Sequence, residues 1–313
     1  MRIAVLDDYQ DVARSLADWP SVGAASFFKE NVSSQEVLAK GLADFEIIVA
    51  MRERTAFPRA LLEKLPNLRL LVTTGMRNRS IDVAAANARG VTVCGTPGVN
   101  TNTAELTWGL ILALARQIPR EDAALRAGHW QTTVGFGLAG KTLGLLGLGS
   151  LGQQVARIGA AFGMKCIAWS QNLDPEKSRV GGAERVEKEE LFRQADILTI
   201  HLVLSERTRG LVGENELALM KRSALLVNTS RGPIVDERAL AEALKRGTIA
   251  GAAIDVYGEE PIPRDHPLLV APNTVLTPHL GYVTRENYRL YYEGAVEAIR
   301  AWQRGSPVRV LQQ

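Results

Sequence analysis

The chain has 313 residues, 46% apolar and 23% charged, with Lys+Arg 37 against Asp+Glu 34 for a net charge of +3. That length suits two ordinary domains with separate cores, and so balanced a charge argues against nucleic acid or an acidic membrane as partner. No run of about 20 apolar residues could cross a bilayer, MRIAVLDDYQ lacks a signal-peptide core, and Cys94 and Cys166 read as reduced core thiols rather than disulfide or metal ligands, so a cytoplasmic protein is expected.

In chain order, residues 2–6 read as a strand and 12–19 as a helix. Strands follow at 45–51, 68–74 and 91–94, with helices at 60–65 and 82–89 between them. This alternation predicts an α/β fold with a parallel sheet covered by helices. Pro97-Gly98 breaks the rhythm as a domain border. A long apolar helix is expected over 103–117, limited by Pro119, and too apolar for a surface helix; it should be buried between domains or between subunits.

The apolar run at 142–146 then leads into Gly147-Leu148-Gly149-Ser150-Leu151-Gly152, which fits G-x-G-x-x-G, with a helical pattern over 153–162 behind it. In this strand–turn–helix setting Gly147 permits the tight turn, Gly149 lets the backbone approach a pyrophosphate, and Gly152 lets the helix lie close to the strand. The helix-start amides and dipole then face the phosphates. The rhythm resumes with strands at 165–169, 197–202, 225–228, 251–256 and 275–277. Helices are expected at 189–194, 216–220 and 237–246, and a closing one at 286–304. A glycine motif so far from the N-terminus implies that the nucleotide domain is inserted. Residues 1–98 with 284–313 would form one domain and residues 99–283 the other.

Ligands of open parallel sheets bind beyond the carboxyl ends of the strands. After the glycine motif, Arg231, Glu260 and His279 occupy such positions. Meeting beside a nicotinamide, they would suit hydride transfer to a 2-oxo acid. Arg231 can hold the carboxylate by two parallel hydrogen bonds and favours a developing alkoxide. His279 can pass a proton to the carbonyl oxygen. Glu260 within reach of the imidazole would favour its charged form and fix its tautomer.

With these residues in view, the chain resembles the D-isomer-specific 2-hydroxyacid dehydrogenase family nearly end to end. The resemblance is carried by the glycine motif, Asn228-Thr229-Ser230-Arg231-Gly232 with Val235-Asp236-Glu237, Asp255-Val256 with Glu260-Pro261, Pro278-His279, and Pro97-Gly98-x-Asn100 before Ala104-Glu105. It implies two Rossmann-like or flavodoxin-like α/β domains with a cleft between them, a homodimer, NAD or NADP as cofactor, and a small 2-oxo or 2-hydroxy acid as substrate. It also implies catalytic roles for Arg231, Glu260 and His279. Asp255 would meet the nicotinamide carboxamide and Ser150-Leu151 the pyrophosphate, with Ser170, Thr229, Ser230 and Gly281 as further cofactor residues. The Thr74-Gly75-Met76 loop would offer backbone amides to the substrate carboxylate, with Arg52 beside it.

The chain departs from the family pattern in places. Ser170 stands where an acid commonly binds the adenosine ribose, followed by Gln171 and Asn172, so NAD and NADP both remain open. Tyr282 replaces a small residue, and Met76-Arg77-Asn78-Arg79 makes the substrate loop basic, with Arg52, Arg77 and Arg79 there for a second anionic group or for solvent. The resemblance favours a reductase of the glyoxylate or hydroxypyruvate type. A D-3-phosphoglycerate dehydrogenase is the alternative, and the end of the sequence at Gln313, without a regulatory segment, is expected to weigh against it. Formate-oxidising relatives carry glutamine in place of Glu260. A nicotinamide-sensing corepressor-like binding protein is the reading from another class.

Overall fold

The computed structural model describes residues 1–32 and 34–312; Ser33 and Gln313, both within the predicted first domain, lie outside the described residues. The chain divides into two compact units, one of Met1–Val99 with the segment that starts at Val283, the other Asn100–Tyr282. These borders fall one residue inside the expected nucleotide domain at each end.

The first unit holds five strands, β1 (Arg2–Val5), β2 (Ala24–Phe27), β3 (Ile47–Ala50), β4 (Leu70–Thr73) and β5 (Thr92–Gly95). They pair in the order β2-β1-β3-β4-β5, every pair parallel. The inner strands β3 (IIVA) and β4 (LLVT) are buried throughout, as a sheet covered on both faces requires. β2 has no buried residue and was not legible as a strand. The helix Gln35–Leu42 was also not read; Ser34 opens it by accepting from the Val37 amide, and Leu38, Ala39 and Leu42 are buried along it. The closing helix Arg285–Gln303 is capped by Thr284 and buries Tyr288, Tyr291 and Tyr292.

The second unit is built on β6 (Thr142–Leu146), β7 (Lys165–Trp169), β8 (Glu184–Arg185), β9 (Ile197–Ile200), β10 (Leu225–Asn228), β11 (Gly251–Ile254) and β12 (Thr274–Leu276). Their order is β12-β11-β10-β9-β6-β7-β8, again all parallel. The order reverses between β6 and β9, which opens a crevice past their carboxyl ends. One core, with Phe192, Leu198, Ile200 and Leu226, contrasts with a second that includes Trp108, Ile111, Val155 and Val227.

The apolar helix runs Thr101–Ala115, and it corrects one expectation, the role of Pro119. Its buried side chains, Trp108, Leu110, Ile111 and Leu114 among them, join the second unit's own core. Pro119 does not end this helix; it lies in the first turn of the next, Ile118–Arg126, after Gln117 turns left-handed at φ 54°. Proline suits that place because its missing N–H would have had no partner there. Among the described residues no helix is long and apolar enough to cross a membrane.

Candidate functional site

The three motif glycines have three separate physical reasons. Gly147 follows β6 at φ 106°, and a Cβ there would lie 2.8 Å from the His201 carbonyl carbon. Gly152, inside the helix Ser150–Ala161, would put a Cβ 2.3 Å from the Gly147 carbonyl oxygen. Gly149 differs, because its φ is −75° and a Cβ would meet nothing within 4 Å. No protein contact or backbone strain asks for glycine there; space beside the helix-start amides does. That open cradle fits a pyrophosphate. Ser150 is exposed at its edge, accepting from Asn100 Nδ2 at 3.2 Å.

The sequence reading missed His201, which follows β9 directly beneath this loop. It is half-buried; Nε2 lies 3.1 Å from Thr199 Oγ1, and Nδ1 is shut off from solvent with no partner among the described residues. Burial drives its pKa down to about 4, so the ring is neutral. Its position at the end of a strand was the available signal, but its place beneath Gly147 and Gly152 follows from strand order.

At the edge of β7, Ser170 is half-buried and its carbonyl accepts from the Leu173 amide. The next acid, Asp174, caps the following helix by accepting from Lys177 N–H. Thr229 and Ser230 continue from β10. Thr229 Oγ1 is 2.7 Å from Thr107 Oγ1, and Ser230 donates its hydroxyl to the Leu202 carbonyl at 2.5 Å.

His279, Glu260 and Arg231 come together. His279 Nδ1 lies 2.6 Å from Glu260 Oε2, and the other carboxylate oxygen accepts from Tyr257 N–H at 2.9 Å. Burial alone would raise the Glu260 pKa; the hydrogen bond to His279 and its charge, the Tyr257 N–H and the charge of Arg231 outweigh it and hold the carboxyl below its ordinary value. Arg231 is half-buried, with Nη1 donating to its neighbour's carbonyl, Ser230 O, at 2.7 Å. Tyr282 stands edge-on to the His279 ring, centroids 5.2 Å apart.

His279 itself is left-handed, φ 55°, and Asp255 sustains that turn. Its carboxylate accepts from Thr277 Oγ1 at 2.6 Å and from the Leu280 and Gly281 amides at 2.7 and 3.0 Å, while its carbonyl accepts from His279 N–H at 2.8 Å. Burial pushes the Asp255 carboxyl up against the opposing pull of these donors. Asp255 therefore has a local task that its place in the motif did not reveal, and Gly281 enters the site as its donor.

In the first unit, Arg52 follows β3 in the left-handed region at φ 51°. Its Nη1 donates to the Thr74 carbonyl at 3.2 Å and covers Gly75, where a Cβ would lie 2.0 Å from that nitrogen. The expectation that this loop offers its amides is corrected in part. Thr74 N–H is given to the Ala50 carbonyl and Gly75 N–H to Thr96 Oγ1 at 2.9 Å, because the loop closes the ends of β3 and β5. Met76 is exposed, as are Arg77 and Arg79. Among the described residues no cluster of three His, Cys, Asp or Glu could hold a metal ion.

Comparison with known proteins agrees with this geometry. The family model for the D-isomer specific 2-hydroxyacid dehydrogenase NAD binding domain matches residues 108–281, more than half of the chain. A glyoxylate reductase of Aeropyrum pernix is 45% identical over 255 residues, 78% of this chain and 76% of the relative. A D-3-phosphoglycerate dehydrogenase of Methanocaldococcus jannaschii is 38% identical over 310 residues, 97% of this chain but 58% of that longer protein. Among solved structures, a phosphoglycerate oxidoreductase from Vibrio cholerae superposes with a TM-score of 0.93 at 40% identity, covering 97% of this chain and 99% of that one. On its glycine cradle, its paired parallel sheets and these matches, the chain belongs to the D-isomer-specific 2-hydroxyacid dehydrogenases, NAD(P)-dependent oxidoreductases acting on the CH–OH group.

Proposed function

We propose that this chain reduces a small, unphosphorylated 2-oxo acid of the glyoxylate or hydroxypyruvate type, with His279 as proton donor, Glu260 as its partner and Arg231 as the anchor of the substrate carboxylate. The observation that carries the reading is the 2.6 Å contact between His279 and Glu260 with the Arg231 charge beside it. The bound nicotinamide supplies or accepts the hydride. Gly147, Gly149, Ser150, Leu151 and Gly152 would hold its pyrophosphate, and Ser170, Thr229, Ser230, Asp255 and Gly281 the rest. Glu260 keeps His279 Nδ1 engaged, so Nε2 is the nitrogen that serves the substrate oxygen. Arg231 binds the carboxylate and offsets charge as the alkoxide forms. On this reading the Asn100–Tyr282 unit is the nucleotide domain and the other the substrate domain, where Arg52 and the Gly75–Met76 turn are the candidates for gripping substrate.

The 45% identity to a glyoxylate reductase supports this choice of substrate. The D-3-phosphoglycerate reading is the second, favoured by the matches to phosphoglycerate enzymes. A paired assay separates them: oxidation of NADH and of NADPH with glyoxylate, hydroxypyruvate, pyruvate and phosphohydroxypyruvate. Glyoxylate or hydroxypyruvate is expected to give the highest kcat/KM. A clear preference for phosphohydroxypyruvate would replace the first reading by the second. The same data decide the cofactor, since Ser170 brings no carboxylate to repel a 2′-phosphate.

We also propose a cytoplasmic homodimer. Buried Cys94 and Cys166, whose thiol pKa values burial raises, suit a reducing compartment. For the dimer, the helix Ile118–Arg126 buries none of its residues, and Trp130 and Val134 just beyond it are 77% and 99% exposed. We read these exposed apolar groups, with Ile118 and Leu125 of the helix, as the association surface. Replacing both Trp130 and Val134 by glutamate is expected to yield a monomer by light scattering. An unchanged mass would place the interface elsewhere.

A further inference from the structure

Glu260 is carried on a loop whose preceding residues, Gly258 and Glu259, are exposed, yet it must stay within hydrogen-bond reach of His279. The backbone on either side of Tyr257 is what fixes it. Tyr257 N–H donates to Glu260, and the next amide, Gly258 N–H, donates to Glu237 Oε1 at 2.8 Å. Gly232, next to Arg231, packs flush on this stretch, since a Cβ there would lie 2.0 Å from the Tyr257 carbonyl carbon. Any side chain at 232 would push the loop away.

Glu237 does not act alone. Its Oε2 lies 3.1 Å from His266 Nε2, and the Leu268 amide donates to His266 Nδ1 at 3.3 Å. With Nδ1 an acceptor, the neutral ring carries its hydrogen on Nε2, aimed at Glu237. The two side chains are only 17% and 14% exposed, and Tyr257 stands edge-on to the His266 ring. Glu237 also opens the helix Glu237–Lys245, where the dipole favours a carboxylate.

We propose that Glu237 and His266 form a second carboxylate–imidazole pair that positions the first: they fix the Tyr257–Gly258 peptide and thereby hold Glu260 on His279. Neither touches the reacting atoms, so both are positioning residues. The inference rests on the reading of Glu260 as the partner of His279.

A double-mutant cycle in the full-length enzyme tests it, with kcat, KM and cofactor affinity measured for Glu237→Ala, Glu237→Gln, Glu260→Gln and the Glu237→Ala/Glu260→Gln pair. Glu237→Ala is expected to lower kcat about tenfold, the scale of a small misplacement of a catalytic group, with cofactor affinity unchanged. Glu237→Gln, which can still accept from Gly258 N–H, should recover part of that loss. In the Glu260→Gln background the further loss from Glu237→Ala should fall below about threefold, because residues coupled through one backbone segment are not additive. Equal losses in both backgrounds, or a Glu237→Ala enzyme with normal kcat, would overturn the proposal. A Glu260→Gln enzyme as fast as the parent would instead remove the role of Glu260, and this one with it.

Discussion

An enzyme with asparagine in place of His279 is expected to lose about 10²- to 10⁴-fold in turnover, the range supplied by a positioned general acid. Asparagine is the better substitution than alanine because His279 sits at φ 55°, a conformation asparagine tolerates. The side chain then loses its proton relay while the turn sustained by Asp255 survives. Cofactor affinity should hold within a few-fold, since the glycine cradle lies on β6 and its helix, and the turn that carries Gly281 keeps its hydrogen bonds to Asp255. Stopped-flow reduction of the 2-oxo acid and a fluorescence titration with reduced nicotinamide read the two quantities separately. Parallel losses in both would show that His279 holds the cofactor instead of moving a proton.

The second large effect is on stability and comes from His201. The ring titrates at 6.5 in the unfolded chain and at about 4 when folded, because burial disfavours its charged form. The folded state therefore binds fewer protons than the unfolded one between these values, and stability rises with pH across the window. The contribution is fully present above pH 6.5 and is lost as pH falls towards 4, at a slope approaching about 1.4 kcal/mol per unit. Roughly 1.5 kcal/mol should disappear between pH 6.5 and 5, before most carboxylates titrate. Urea unfolding at those two pH values measures it. His201→Gln is expected to unfold more readily at pH 7 but to lose far less between the two. An identical pH dependence in that variant would assign the acid sensitivity to other groups.

Much of the site lay open in local pattern. Arg231, Glu260 and His279 are each a reactive residue just past a short apolar run, and a parallel sheet leaves such positions at its ligand-binding edge. The glycine motif was equally readable, since its turn and its helix are neighbours in the chain. β2 and β8 were not. The first buries no residue, the second is two residues long, and both lie at sheet edges, so each owes its pairing to the strand beside it. Pro119 misled for a related reason: a proline that can stop one helix can as well begin another, and only the left-handed Gln117 between them decides.

By itself, then, the amino-acid order determined the α/β alternation, the phosphate-binding turn and the three residues assigned to catalysis, because each is specified over a few neighbouring positions. Tertiary structure decided what these residues touch. It set His201 beneath the glycine turn, used the Gly75 amide to close a sheet end, placed Asp255 under the His279 turn, and joined Glu237 to His266 across 29 positions. Those contacts depend on strand order and loop closure, and no periodicity in the chain encodes the distance between residues so far apart.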